Sequence, residues 1–80
     1  MALTESDRAV LEFEAAHPGT GAAKNDAIRT RLGLSPVRYY QKLARLTYSS
    51  EALLFDPVLV HRLRRLAEEE RTTRDARSAP

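Results

Sequence analysis

Three features of the sequence predict a small all-α domain of about four helices containing a helix-turn-helix. Apolar residues recur every three or four positions in four separate stretches, whereas strand-like alternation never persists beyond a few residues. Three of those stretches open on Thr4, Ser35 and Asp56, residue types that cap helix N-termini. The 3 glycines and 4 prolines fall between the stretches or at their ends, where they break helices. With 80 residues the chain buries only about 60–65% of its unfolded surface, so its core is limited. It has no cysteine to add a disulfide or a thiolate metal site. Phe13, Tyr39, Tyr40, Tyr48 and Phe55 supply enough aromatic bulk to anchor a core, which argues against disorder.

The first helix is expected over roughly Glu5 to Ala16. Thr4 is its cap, Asp7 stands three residues on in the capping-box position, and Glu5 lies in the positive first turn. Ala9, Val10, Phe13 and Ala16 form its apolar side, and His17-Pro18-Gly19 ends it. Glu5, Glu12 and Glu14 are read as exposed, which makes this helix a scaffold rather than a surface for phosphates. The second helix is expected from Ala22 to Leu32, with Ala23, Ala27, Ile28 and Leu32 on one side. Gly33 suits the left-handed position past a helix end. Leu34 then forms an apolar plug, Ser35 caps, and Pro36 takes the first position of a third helix running to about Thr47. Tyr39, Tyr40, Leu43 and Leu46 are its inward stripe. Two helices joined by so short a turn must cross steeply, which is the helix-turn-helix arrangement.

A short helical turn over Glu51 to Phe55, capped by Ser49 or Ser50, precedes Asp56-Pro57, which opens the fourth helix. Its apolar side is Leu59, Val60, Leu63, Leu66 and Ala67. Arg65–Glu69 and Glu70–Arg74 have the spacing of i,i+4 ion pairs. From Thr72 onward nothing apolar remains except alanine. Residues 1–71 are therefore expected to form the helix-turn-helix domain and residues 72–80 a flexible charged tail.

The net charge of +2 is unevenly spread. Met1 to Ala23 sets four acids against Arg8, whereas Lys24 to Leu46 sets Lys24, Arg29, Arg31, Arg38, Lys42 and Arg45 against Asp26 alone. That basic middle suits an anionic partner. In a helix-turn-helix the second helix lies in the major groove. With Tyr39, Leu43 and Leu46 turned in, the third helix presents Ser35, Val37, Arg38, Gln41, Lys42 and Arg45. Arg and Lys bond guanine O6 and N7, Gln41 suits adenine N6 and N7, and Val37 suits a thymine methyl. Lys24, Arg29, Arg31 and the positive helix N-terminus at Ser35 are placed for phosphates. Substituting Arg38 and Lys42 together by alanine is expected to abolish DNA binding and leave folding nearly intact.

Residues Ala27 to Leu46, AIRTRLGLSPVRYYQKLARL, resemble the helix-turn-helix of sigma-factor-like and response-regulator-type DNA-binding domains. There a Leu-Gly-Leu-Ser-Pro turn leads into the recognition helix. Arg29 departs from that pattern, which places a small alanine four residues before the turn glycine. Over nearly its whole length the chain resembles an actinobacterial family of small helix-turn-helix proteins catalogued only as a domain of unknown function. Arg38-Tyr39-Tyr40-Gln41 and Asp56-Pro57 followed by Val60 to Leu66 carry that likeness. It implies a fold and a regulatory role, and names no target.

Other chemistry finds little support. His17 and His61 lie on different segments, and His61 sits among arginines that would repel a cation, so no metal site is expected. No nucleophile–histidine–acid set and no Gly-rich phosphate loop stands out, so neither enzyme activity nor a cofactor is expected. Glu68-Glu69-Glu70 reads as a solvated helix face. Tyr39 and Tyr40 either both pack, or Tyr40 touches a phosphate or base. The fourth helix either packs on the first three, pairs in a homodimer, or lies on anionic lipid as a basic amphipathic helix. A dimer would set its recognition helices about 34–36 Å apart. No run reaches the ~18–20 apolar residues of a membrane span. The reading is a DNA-binding transcriptional regulator, soluble, cytoplasmic and nucleoid-associated, with double-stranded DNA as partner. The rival is a protein-interaction module, an adaptor or inhibitor of the transcription machinery that does not touch DNA.

Overall fold

Side-chain caps mark where four of the five helices begin. The computed structural model describes the backbone of residues 2–78 and side chains as far as Arg74. Helix α1 spans Glu5–Ala16. The Thr4 hydroxyl accepts from the Asp7 N–H at 3.0 Å, and the Asp7 carboxylate accepts from the Thr4 N–H at 3.2 Å. This reciprocal pair satisfies two donors that the helix start would otherwise leave open. Helix α2 spans Ala22–Ala27 and runs on as a π-helical turn over Ile28–Leu32. The Thr30 hydroxyl donates back to the Asp26 carbonyl at 3.0 Å within this widened turn. Gly33 then takes φ +66, a left-handed conformation that a side chain would strain.

Helix α3, Pro36–Thr47, starts at Ser35, whose hydroxyl accepts from the Arg38 N–H at 3.2 Å. Ser49 caps α4, Ser50–Phe55, through the Ala52 N–H at 3.2 Å. Asp56 does the same for α5, Pro57–Ser78, through the Leu59 N–H at 3.1 Å. The result is five α-helices and no strand among the described residues, an all-α domain as expected, with the anticipated 51–55 turn forming α4.

Helix α3 lies at the centre and packs on α1, the π turn, α4 and α5. Val10, Leu11, Ile28, Tyr39, Leu46 and Val60 are fully buried and form the heart of the core. Each such side chain stabilises the fold by roughly 1.5–3 kcal/mol through lost water contact. Arg64 of α5 donates from Nε to the Thr47 carbonyl at 2.7 Å and lies over the Tyr48 ring at 5.9 Å. It thereby ties α5 to one of the carbonyls that α3 leaves open at its C-terminal end.

Several expectations are corrected. The buried stripe of α1 is Asp7, Val10, Leu11, Phe13 and Glu14, whereas Ala16 is exposed. Glu14, read as exposed, is buried because it finds partners inside. Ala23 faces solvent. In α5, Leu59, Val60 and Leu63 are spent on the chain's own core. That leaves Leu66, half-exposed, from the seam considered for a homodimer. Tyr39 is fully buried, and Tyr40 is half-buried with its hydroxyl shielded and without a partner among the described residues. The stretch expected as a charged tail is helical as far as Ser78, with the last two residues outside those described. Among the described residues no helix is long and apolar enough to cross a membrane.

Candidate nucleic-acid interface

Residues three and four apart on a helix share a face. Arg38, Gln41, Lys42 and Arg45 follow that spacing along α3, on the side away from Tyr39, Leu43 and Leu46. Together with Leu34 they line one open groove of about 420 Å³. Val37, 67% exposed, stands beside the stripe. Arg38 and Gln41 face solvent, and Arg38 has no ion-pair partner among the described residues. At the start of α3, Pro36 has no N–H and the Arg38 N–H is taken by Ser35. The Val37 N–H is therefore the backbone donor left open at the positive end of the helix.

The far end of the stripe is tied down. Lys42 Nζ and Arg45 Nη2 donate to the same oxygen, Asp7 Oδ1, at 3.1 and 3.0 Å. The Asp7 side chain is 7% exposed, against 26% for Lys42 and 61% for Arg45. Burial alone would push the Asp7 carboxyl up. Hydrogen bonds from Thr4 and the Lys42 ammonium outweigh it and hold the group at about 2. Between Arg29 and Arg45 the sequence has no acid, yet folding brings one to this face from 35 residues away. Lys42 is consequently half-buried, which corrects the expectation that it is exposed.

Lys24 is not on this surface. Its ammonium donates to Glu14 Oε1 and to the Gly19 carbonyl, both at 2.6 Å, and the two side chains of the ion pair are each 7% exposed. The Tyr39 hydroxyl donates to the same Glu14 oxygen at 2.6 Å, and Lys24 Nζ lies 5.6 and 5.7 Å from the Tyr39 and Tyr40 ring centres. Burial, and then the bonded Glu14 carboxylate, raise the Tyr39 hydroxyl well above its ordinary value. Burial raises Tyr40 as well. The expected phosphate contact at Lys24 is thus corrected: a buried carboxylate requires a counter-charge, and Lys24 provides it.

Arg31, in the π turn, is exposed and lies beside the C-terminal cap of α1, with Nη1 3.5 Å from His17 Nε2. His17 stacks on Phe13 at 4.3 Å, and its Nδ1 donates to the Phe13 carbonyl at 3.2 Å. Arg29 points to solvent and pairs with Asp26 at 3.2 Å, so its bulk does not lie between α2 and α3. The residues that sequence reasoning missed are Asp7 and Glu14. Their signal was available, because they stand seven apart and flank Val10-Leu11 at 3-4 spacing, on the same face as the core.

Residues 2–77 match the family described as protein of unknown function DUF3263, and the chain belongs to it. No curated protein and no solved structure matches the chain.

Proposed function

We propose that the protein binds duplex DNA without catalysis, reads the major groove with α3, and regulates transcription. In this reading α2, the Gly33-Leu34-Ser35 turn and α3 act as a helix-turn-helix. The observation that carries it is the stripe of Arg38, Gln41, Lys42 and Arg45 along one open groove, with hydrogen-bonding heads and no acid of its own helix between them. Arg38 and Gln41 are the base-reading pair, since both are free to reach guanine or adenine edges. Ser35, the Val37 N–H and Arg31 fix the register on phosphates. The protein would act in the cytoplasm, on the nucleoid.

The test is selection from a pool of labelled random duplexes at two salt concentrations. Enrichment of one site, lost as salt rises, supports the reading, because each neutralised phosphate contributes about −0.9 to the log–log slope. Arg38→Ala with Gln41→Ala should remove that selectivity while the thermal midpoint stays within a few degrees. Absence of binding at low salt overturns the reading.

A second reading, a module that meets a transcription-machinery protein, is favoured by one observation. Leu54, Phe55 and Val58 are 85%, 41% and 79% exposed at the α4–α5 corner. Exposed apolar side chains gathered at one corner suit a protein partner. Loss of partner binding on Leu54→Ser, with no binding to DNA, would favour it.

A further inference from the structure

We propose that Asp7 determines how selectively the α3 face binds DNA: it fixes Lys42 and Arg45 and competes with phosphate for them. This rests on the DNA-binding reading above.

The carboxylate is a hub. Oδ1 accepts from Lys42 at 3.1 Å and from Arg45 at 3.0 Å, while Oδ2 accepts from the Thr4 N–H at 3.2 Å. The capping box anchors the hub to α1 from behind, so the two cations are referred to a rigid helix rather than to another mobile side chain. Neither cation is used up. A guanidinium has five N–H donors and an ammonium three, and Asp7 takes one from each. Arg45 remains 61% exposed, with its other donors open to the groove. A guanidinium already held in one orientation loses less freedom when it meets the O6 and N7 of a guanine.

The same contact weakens attraction that ignores sequence. Attraction to phosphates grows with the number of cations free to replace counterions. Asp7 offsets one of the two positive charges at this end of α3. Its carboxyl stays ionised at any pH near neutrality, so the offset is permanent under working conditions. Arbitrary DNA is therefore held less tightly, while a site offering the right acceptors meets a donor already aimed.

The experiment uses the full chain and fluorescence anisotropy with two duplexes, the selected site and its scrambled sequence, across a salt series. Asp7→Asn removes the charge and keeps an amide oxygen that can accept the Thr4 N–H. Asp7→Gln is a second neutral variant that the capping box also accepts. Thr4→Ala loses the hydroxyl half of the cap and keeps the carboxylate. Each neutral variant should bind the scrambled duplex about tenfold more tightly at low salt, the order expected of one unit charge in partly screened surroundings. Its salt slope should steepen by up to about 0.9, and its preference for the site should fall about tenfold. Thr4→Ala should lower the urea midpoint and leave slope and preference unchanged.

If wild type selects its site and the neutral variants that fold match it in slope and preference, Asp7 is a cap only; the inference fails and the DNA reading stands. A wild type that binds both duplexes equally also overturns the inference. A wild type that binds neither overturns both.

Discussion

Helix α1 carries two carboxylates on one buried stripe, and their surroundings differ in how far the partners reach into solvent. At one end Glu14 accepts from Lys24 and Tyr39, and Lys24 also donates to the Gly19 carbonyl, with both ionic side chains sealed from water. At the other, Asp7 is equally buried but its partners Lys42 and Arg45 reach into solvent. The first network is sealed from solvent, so none of its donors reaches a ligand; the second is half open and keeps several within reach. Their difference teaches that a buried acid can specify a core when its partners are interior and tune a surface when they are not.

The sharpest way to break that comparison is to remove the sealed acid. Glu14→Ala leaves the Lys24 ammonium and the Tyr39 hydroxyl buried without their shared acceptor, and should cost about 3–5 kcal/mol in urea unfolding. Replacing the pair together, Glu14→Leu with Lys24→Met, should cost far less, because no unpaired charge remains. An equal loss in both variants would mean that packing, not charge, sets the energetics there.

Tyr39→Phe removes one hydroxyl bonded to a charged acceptor and should cost about 1.5–3 kcal/mol, read from the same unfolding curves. A loss below about 0.5 kcal/mol would show that the closed network does not depend on its third member.

Acid sharpens the other side of the comparison. The Asp7 carboxyl sits at about 2 in the folded protein against an ordinary 3.8. Its contribution is present in full above about pH 4 and is lost as pH falls toward 2, for about 2 kcal/mol in all. Unfolding free energies of wild type and Asp7→Asn should therefore converge over that window. Parallel curves would remove Asp7 from the acid response. The smallest effect belongs to Arg45→Ala, expected below about 1 kcal/mol because Arg45 is itself largely solvated and Lys42 still pairs with Asp7.

The helix boundaries and the α3 stripe were legible because they depend on local chemistry. Thr4, Ser35, Ser49 and Asp56 each accept from a backbone N–H a few residues on, and Gly33 takes the left-handed turn that its position implied. The division of α3 between Tyr39-Leu43-Leu46 and Arg38-Gln41-Arg45 follows from a period of 3.6 residues. What escaped was pairing across the chain. Lys24 and Glu14 are ten residues apart, and Asp7 and Lys42 thirty-five. A charged residue in an exposed-looking context counts as surface until tertiary packing supplies its counterpart. The π turn after Ala27 also left no trace in the sequence, since no breaker residue marks it; its Ile28 is buried and its Leu32 packs against the core.

Helix α5 is longer than the body it packs against. Its 22 residues span about 33 Å, yet Leu63 is its last buried residue among those described, and every side chain from Glu68 through Arg74 is exposed. The radius of gyration, 13.5 Å, exceeds the roughly 12 Å of a compact chain this long. An overhanging helix receives no cooperative support from the core; the Glu70–Arg74 pair, at 3.6 Å and in full solvent, adds only a few tenths of a kcal/mol. Protection against amide exchange should therefore decline along α5 instead of vanishing at one step. Such a gradient would mark one fold made of two thermodynamic units, a core that melts as a whole and an extension that unwinds turn by turn.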